Sequence, residues 1–325
     1  MPSKTFAGRR RLTPPIWKGD LLMSLARLSS LATVDRAYRG DAEGAMQELL
    51  AHALFARKLI ETPQSLVGFA IALSVGNAAL SPLPYILSKD KSLVVKYRKE
   101  LEAALVFAEP GRFDYTPIWD TEIRTVRYLM ERQRRHFIGG STNELGRFIT
   151  ETMFGPGLNR VFREKMFELH EKMKPAFVIK DPATRRAALQ AVNKEFDRPE
   201  YWYFTRYADI THLYPSMMMG LLAGGMTSGT IIMFDDSGMY VNKHRERLAL
   251  IDAAGQGLWP DAMPDYLKSA AARNPLLGEV MSGQPFYWNN DTKSICYDLV
   301  EPYFTGPFPV CFDTFPYVGD AGELK

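Results

Sequence analysis

The chain has 325 residues, more than a single hydrophobic core usually supports, which predicts a large body with a smaller appended lobe. Apolar residues make up 46% of the chain and charged residues 24%, proportions that exclude a generally disordered protein. The charges nearly balance, with 40 basic and 37 acidic side chains, so we expect no nucleic-acid partner.

The first 19 residues form a basic, proline-containing segment. Pro14 and Pro15 disfavour helix, so we expect this segment to be extended. It lacks the apolar run of a secretory signal peptide. Either the protein is cytoplasmic, or a leader or membrane anchor has been removed from it.

Residues 20–254 have the residue spacing of an all-helical body. From Asp20, a candidate N-cap, to Tyr38, apolar residues recur at steps of three and four, which predicts an amphipathic helix. These apolar residues are Leu21, Leu22, Leu25, Leu28, Leu31 and Val34. Arg39-Gly40-Asp41 ends this helix and a second one follows through Leu59, which predicts an antiparallel hairpin. Further helices are predicted over 92–107, 121–137, 143–154, 158–173 and 181–196.

Two long stretches of the body, 62–88 and 210–234, contain no charged residue, which raises the question of membrane insertion. Each contains residues that a spanning helix accommodates poorly, Asn77 and Pro82 in the first and Pro215 in the second. We therefore expect both stretches to be helices buried within the body, with membrane contact as the alternative.

The composition changes after residue 254, where proline and glycine become dense and three short β-type runs appear, at 285–288, 294–299 and 310–315. Asn289-Asn290-Asp291 is a turn signal between the first two runs. Residues 255–325 are therefore predicted to form a small antiparallel β lobe that docks on the mainly helical body.

The chain has two cysteines, Cys296 and Cys311, on neighbouring apolar segments of this lobe. Either they form one disulfide bridge or both are buried thiols. A CxxC motif is absent, and no two of the five histidines are within four residues of each other, so no metal site is predicted. A glycine-rich phosphate loop and a nucleophile elbow are also absent, so no cofactor is expected.

The most distinctive stretch, 247–297, contains Trp259-Pro260, Pro264-Asp265-Tyr266-Leu267, Asn274-Pro275 and Ser282-Gly283-Gln284-Pro285. This order resembles a C-terminal pattern of uncharacterised helical proteins of the bacterial cell envelope, and a related form occurs in type II secretion pseudopilins. Arg39–Leu59 is similar to an N-terminal element of the same group. The chain departs from the pattern at Asn274, where Asp is usual, and in the extra residues between Pro275 and Ser282. The resemblance implies an envelope protein on the periplasmic side, and it carries no catalytic residues.

Two classes of function fit these observations. The first, favoured by the absence of a catalytic motif, is a non-enzymatic scaffold or partner-binding protein of the cell envelope with a protein partner. The second is a hydrolase of a glycan or peptide, with carboxylates in a cleft between body and lobe. Its candidate groove aromatics are Trp119, Tyr203, Tyr207, Trp259 and Trp288, and its candidate carboxylates are Glu109, Asp114, Asp120, Glu122 and Glu151.

Overall fold

The computed structural model describes residues 16–62, 65–132, 167–196, 238–299 and 308–313. This part of the chain is mainly helical and has a small three-stranded antiparallel sheet near the C-terminus, as the sequence predicts. The predicted helix over 143–154 and the uncharged stretch 210–234 lie outside the described residues.

The helices follow one another with short connections. Their bounds are α1 (Ile16–Tyr38), α2 (Ala42–Glu61), α3 (Leu66–Leu80), α4 (Leu83–Lys89), α5 (Leu93–Lys96), α6 (Arg98–Ala104), α7 (Thr116–Arg132), α8 (described over 167–177), α9 (Pro182–Phe196), α10 (described over 238–255) and α11 (Met263–Arg273). Single 3-10 turns occupy Val106–Ala108, Pro110–Arg112 and Pro275–Leu277.

The predicted hairpin of the first two helices is confirmed. Gly40 provides the positive φ of +94° that the reversal requires. Asp41 then caps α2 by accepting a hydrogen bond of 2.8 Å from the backbone N–H of Gly44, and it is 2.6 Å from Arg36. Together with α3, the hairpin forms a mutually packed group of three helices.

Several helix predictions differ from the structure; the helix predicted over 121–137, for example, begins earlier, at Thr116. First, α1 begins at Ile16, so Asp20 lies inside the helix and does not cap it, and residues 16–19 are helical where the sequence predicts an extended segment. Second, the helix predicted over 92–107 is divided, because Tyr97 leaves helical geometry between α5 and α6. Third, α11 was not predicted, although its buried residues have helical spacing: Met263, Tyr266, Leu267 and Ala270.

The uncharged stretch 62–88 forms two helices, α3 and α4, with a break at Ser81-Pro82. By length and composition alone, residues Leu66–Lys89 could cross a membrane, since an 18-residue window within them has a mean hydropathy of 1.7. Half of that window is buried inside the protein. The inward side of α3 includes Phe69, Leu73 and Leu80, all buried. This run therefore contributes to the core of the helical body.

The sheet consists of β1 (Tyr287–Asn289), β2 (Ser294–Leu299) and β3 (Phe308–Asp313), in that order and antiparallel. The predicted turn connects β1 to β2. The lobe contributes large buried side chains to the same hydrophobic core as α2, α4 and α6: Trp259, Tyr266, Leu267, Phe286, Ile295 and Tyr297. A second core, around Phe69, Trp119 and Tyr240, joins α3, α7, α8 and α10. The lobe is therefore docked on the body by aromatic burial, as predicted.

Candidate functional site

The side of α1 that packs on the body is small and polar. Ser30, Thr33 and Ala37 are buried there. The Ser30 hydroxyl donates a 2.7 Å hydrogen bond to the carbonyl of Ala78 and lies 2.8 Å from the Ser81 hydroxyl. These contacts join α1 to the end of α3 by hydrogen bonding, beside a small apolar contact in which Leu22 and Ala26 of α1 pack near Val75 and Ala79 of α3.

The opposite side of α1 carries leucines that face outward. Leu21, Leu25, Leu28 and Leu31 are 57%, 52%, 62% and 54% exposed, and we call this set the leucine row. Their spacing of four, three and three places them along one face of the helix. An amphipathic helix of a globular body normally directs such a stripe to the core. Of the apolar positions noted in the sequence, Leu22 packs inward, whereas the leucine row does not.

The two ends of the leucine row differ in charge. Before Asp20 the sequence has five cations and no acid, and we call residues 1–18 the basic segment: its cations are Lys4, Arg9, Arg10, Arg11 and Lys18. At the C-terminal end of α1, Arg39 is 2.9 Å from Asp35 and Arg36 is 2.6 Å from Asp41. The sequence before Asp20 therefore contains five cations and no acid, whereas Arg36 and Arg39 are paired with acids.

Two of the candidate carboxylates accept hydrogen bonds from backbone N–H groups at the N-termini of helices. Asp114 accepts a 3.1 Å hydrogen bond from the backbone N–H of Thr116, at the start of α7. Glu122 accepts one of 3.0 Å from the N–H of Leu66, at the start of α3. Both satisfy backbone donors that a helix N-terminus leaves without an internal partner. Glu151 lies outside the described residues.

Asp120 is brought together with a histidine that the sequence did not single out. Its Oδ1 lies 2.6 Å from Nε2 of His170, and Oε1 of Glu171 lies 3.2 Å from Nδ1 of the same ring. A general base needs one ring nitrogen directed at a substrate. In this geometry both nitrogens of His170 face carboxylates, and the contact with Asp120 joins α8 to α7.

A polar cavity of about 540 Å³ lies between the α9 start and the turn that follows α6, and it includes Glu109, the remaining candidate carboxylate among the described residues. Glu109 is 2.9 Å from Arg112. The other acid there, Asp181, caps α9, and its hydrogen bonds from Thr184 hold its pKa below the usual value. Both acids of this cavity are therefore occupied by structural partners.

A cleft of about 330 Å³ lies where the body and the lobe meet, and it contains two carboxylates, Glu102 and Asp252. Arg98 lies between them, 2.9 Å from Glu102 and 3.7 Å from Asp252. Asp252 also accepts a 2.8 Å hydrogen bond from the hydroxyl of Tyr266. The cleft is therefore crossed by a network that fastens α11 to α10 and α6.

The three candidate groove aromatics in the described part of the chain, Trp119, Trp259 and Trp288, do not form one surface. Trp119 and Trp259 are each 1% exposed and belong to different cores, so they fill the interior. Trp288 is partly buried and packs against the core that holds Trp259. Tyr203 and Tyr207 lie outside the described residues.

Sequence reasoning missed a buried polar cluster on α10. Asn242 donates a 2.8 Å hydrogen bond to Glu279 and accepts one of 2.8 Å from the N–H of Val280. Arg245, 7% exposed, donates to the carbonyl oxygens of Ala108 and Gly278 at 2.9 and 3.0 Å. The signal in the sequence is a polar run, YVNKHRER, directly before the apolar run LALI. The cluster fastens α10 to the lobe and satisfies buried backbone groups.

His244 lies on the same helix and is 1% exposed, among the rings of Phe107 and Tyr240. Burial, together with the neighbouring charges of Arg247 and Lys243, lowers the pKa of His244 to about 3. The ring is therefore neutral at ordinary pH.

Cys296 on β2 and Cys311 on β3 are directly opposite each other and are joined by a disulfide, with their Cα atoms 4.1 Å apart. Among the described residues, no group of three or more histidine, cysteine or acidic side chains is placed to hold a metal ion.

Comparison with known proteins identifies no family. No family model, no curated protein and no solved structure matches this chain.

Proposed function

We propose that this protein is a non-enzymatic scaffold of the bacterial cell envelope that binds a partner through the leucine row of α1. The observation that supports this proposal most directly is the orientation of α1, in which Ser30 and Thr33 are buried and four leucines are more than half exposed. Contiguous exposed apolar patches on folded proteins mark interaction sites or membrane contacts.

The energetics support a partner on this face. Fully burying an exposed leucine side chain contributes roughly 1.5–3 kcal/mol, and because each leucine of the row is a little more than half exposed, about half of that remains for a partner to recover at each position. The interior contacts of α1 combine hydrogen bonds such as Ser30 to Ala78 with smaller apolar contacts from Leu22, Ala26 and Ala37. A partner that covers the leucine row recovers this burial free energy on binding.

The carboxylates support the non-enzymatic part of the proposal. Asp114 and Glu122 bond to helix ends, while Asp120 and Glu109 are paired with His170 and Arg112. Each of these acids has a structural partner that accounts for its position.

The disulfide supports the location. Disulfides persist in oxidising compartments, including the bacterial periplasm, and are rare in the reducing cytosol. The Cys296–Cys311 bridge therefore fits the periplasmic side of the envelope, the location that the sequence resemblance implies.

Photo-crosslinking from the leucine row tests the proposal. Benzoylphenylalanine would replace Leu28, and in a matched control it would replace Val95 on α5, which is 73% exposed. After irradiation in the native cells, we expect a discrete adduct from position 28, seen as a shifted band or a lipid mass, and none from position 95. Crosslinking from position 28 that is no greater than from position 95 would contradict the proposed function.

A further inference from the structure

We propose that the polar cavity beside the start of α9 binds a small organic carboxylate, whose negative group is held by Arg245 of α10. The cavity measures about 540 Å³, within the size range of pockets that hold small molecules. The leucine row is not part of its lining, so this site is separate from the partner surface and its test does not depend on that surface.

Arg245 lines the cavity as a buried side chain, only 7% exposed. Its Nε donates a 2.9 Å hydrogen bond to the carbonyl of Ala108, and its Nη1 donates to the carbonyls of Gly278 and Pro275 at 3.0 and 3.3 Å. Nη2 has no hydrogen-bond partner among the described residues. The backbone therefore fixes the guanidinium group and leaves Nη2 as its donor for a ligand in the cavity.

The positive charge of Arg245 has no carboxylate within ion-pair distance in the described part of the chain. Glu279 is the acid whose charge acts on Arg245, but it lies outside the cavity lining, and its oxygens accept hydrogen bonds from Asn242 and Ser282. A guanidinium group stays charged when it is buried, and burying an unpaired charge is costly. An anion in the cavity would supply the direct contact that the described acids do not make.

The residues that line the cavity indicate the charge of its ligand. Three are cations, Arg112, Lys180 and Arg245, and two are acids, Glu109 and Asp181. Both acids are already engaged, Glu109 with Arg112 and Asp181 with the start of α9. The ammonium group of Lys180 has no acidic partner among the described residues. The lining therefore has one more positive charge than negative charges, which a monoanionic carboxylate balances.

The size of the cavity and one of its walls indicate an organic ligand. A lone carboxylate group fills only a small part of about 540 Å³, and Val280 of the lobe adds an apolar side chain to the lining. The lining also comes from the turn after α6, the start of α9 and α10, which are distant in sequence. The site therefore exists only when body and lobe are folded together, and a ligand there would stabilise the folded protein.

Fluorine NMR of the intact protein tests the proposal with trifluorobutyrate as the probe. The neutral trifluorobutanol, of similar size and without the carboxylate, is the matched control. At constant ionic strength, we expect the trifluorobutyrate signal to broaden in a saturable way in the millimolar range, and the trifluorobutanol signal to stay sharp. Absence of broadening, or equal broadening of both probes, would overturn the proposal.

Competition identifies the chemical class of the bound group. Acetate should restore the sharp trifluorobutyrate signal, and chloride at the same ionic strength should not. Inorganic phosphate should compete less than acetate, because a dianion exceeds the single positive charge of the lining. Competition by chloride equal to that by acetate, or stronger competition by phosphate than by acetate, would overturn a carboxylate site.

Lys180→Gln tests the contribution of the lining with little risk to the fold, because Lys180 is exposed. We expect it to weaken trifluorobutyrate binding by about fivefold through loss of a charged donor. Lys99→Gln, an exposed substitution on α6 that removes the same charge outside the cavity, should bind like the parent. Equal dissociation constants for the two variants would overturn the proposal.

Arg245→Lys tests the buried guanidinium group itself. It keeps the charge, but a single ammonium group cannot bond to the backbone carbonyls and also reach the ligand as the planar guanidinium does. We expect binding of trifluorobutyrate to weaken by at least about tenfold, with circular dichroism confirming the fold. A folded Arg245→Lys variant that binds like the parent would overturn the proposal. If this variant fails to fold, the comparison of Lys180→Gln with Lys99→Gln decides the question.

Discussion

Ser30 of α1 and Ser81, at the end of α3, have their hydroxyl oxygens 2.8 Å apart in a partly buried contact. This contact leaves no room for a larger side chain, so we expect Ser30→Leu to lower the free energy of unfolding by about 2–4 kcal/mol. Leu28→Ser, on the outer face, should change it by less than about 0.5 kcal/mol. Urea denaturation of both variants measures the difference. A larger loss of unfolding free energy for Leu28→Ser than for Ser30→Leu would mean that α1 packs on the body through its leucines.

Gly76 of α3 provides the space for a tyrosine of α10. A Cβ at position 76 would lie 2.2 Å from the hydroxyl oxygen of Tyr240, which is 2% exposed. We expect Gly76→Ala to destabilise the protein by about 2–3 kcal/mol through overpacking. Gly255→Ala is the control, since its Cβ would meet Val94 at an ordinary 3.6 Å. Equal losses of melting temperature in Gly76→Ala and Gly255→Ala would contradict this contact between α3 and α10.

His244 predicts a dependence of stability on pH. Its pKa is about 3 when folded, against 6.5 when unfolded, so the unfolded chain binds more protons between these values. The stabilisation that comes from the neutral, buried His244 is therefore complete above its unfolded pKa of 6.5, and it is lost as the pH falls toward its folded pKa of about 3. From about pH 7 to about pH 5, the free energy of unfolding should drop by about 2 kcal/mol on account of this residue.

Denaturation of the parent and of His244→Phe at both pH values isolates the effect. The variant has no titrating group at this position, so its pH dependence should be shallower than that of the parent. Parallel pH profiles would contradict a neutral, buried His244.

The Cys296–Cys311 bridge should contribute to stability by restricting the unfolded chain. With a sequence separation of 15 residues, the expected contribution is about 3 kcal/mol. C296S/C311S and the reduced parent should therefore melt lower than the oxidised parent and close to each other. Mass spectrometry of the protein from its native cells checks that the bridge forms there, and a free-thiol mass would contradict the proposed oxidising compartment.

Local signals were sufficient for much of the fold. The caps at Asp41 and Asp181 and the turn at Asn289–Asp291 depend on residues close in sequence. The break at Tyr97 has no proline or glycine to mark it, and the helix Met263–Arg273 was missed although its apolar residues have helical spacing.

The candidate site was predictable only in part. Periodicity showed that the leucines of α1 share a face, but it does not say which face of a helix is covered. That choice depends on the hydroxyl contacts of Ser29 and Ser30 with residues 23 to 51 positions away in the sequence. The buried polar cluster of α10 was missed for a related reason, because a polar run such as YVNKHRER normally indicates a solvated face.

The outward orientation of the leucine row is tested most directly by thiol labelling of single cysteine variants. The two native cysteines are bonded to each other, so an introduced cysteine is the reactive thiol of the chain. For the free protein, we predict rapid maleimide labelling of Leu28→Cys and slow labelling of Ser30→Cys, because Leu28 is 62% exposed and Ser30 is 8% exposed. Rapid labelling of Ser30→Cys with protection of Leu28→Cys would contradict the orientation on which the account depends.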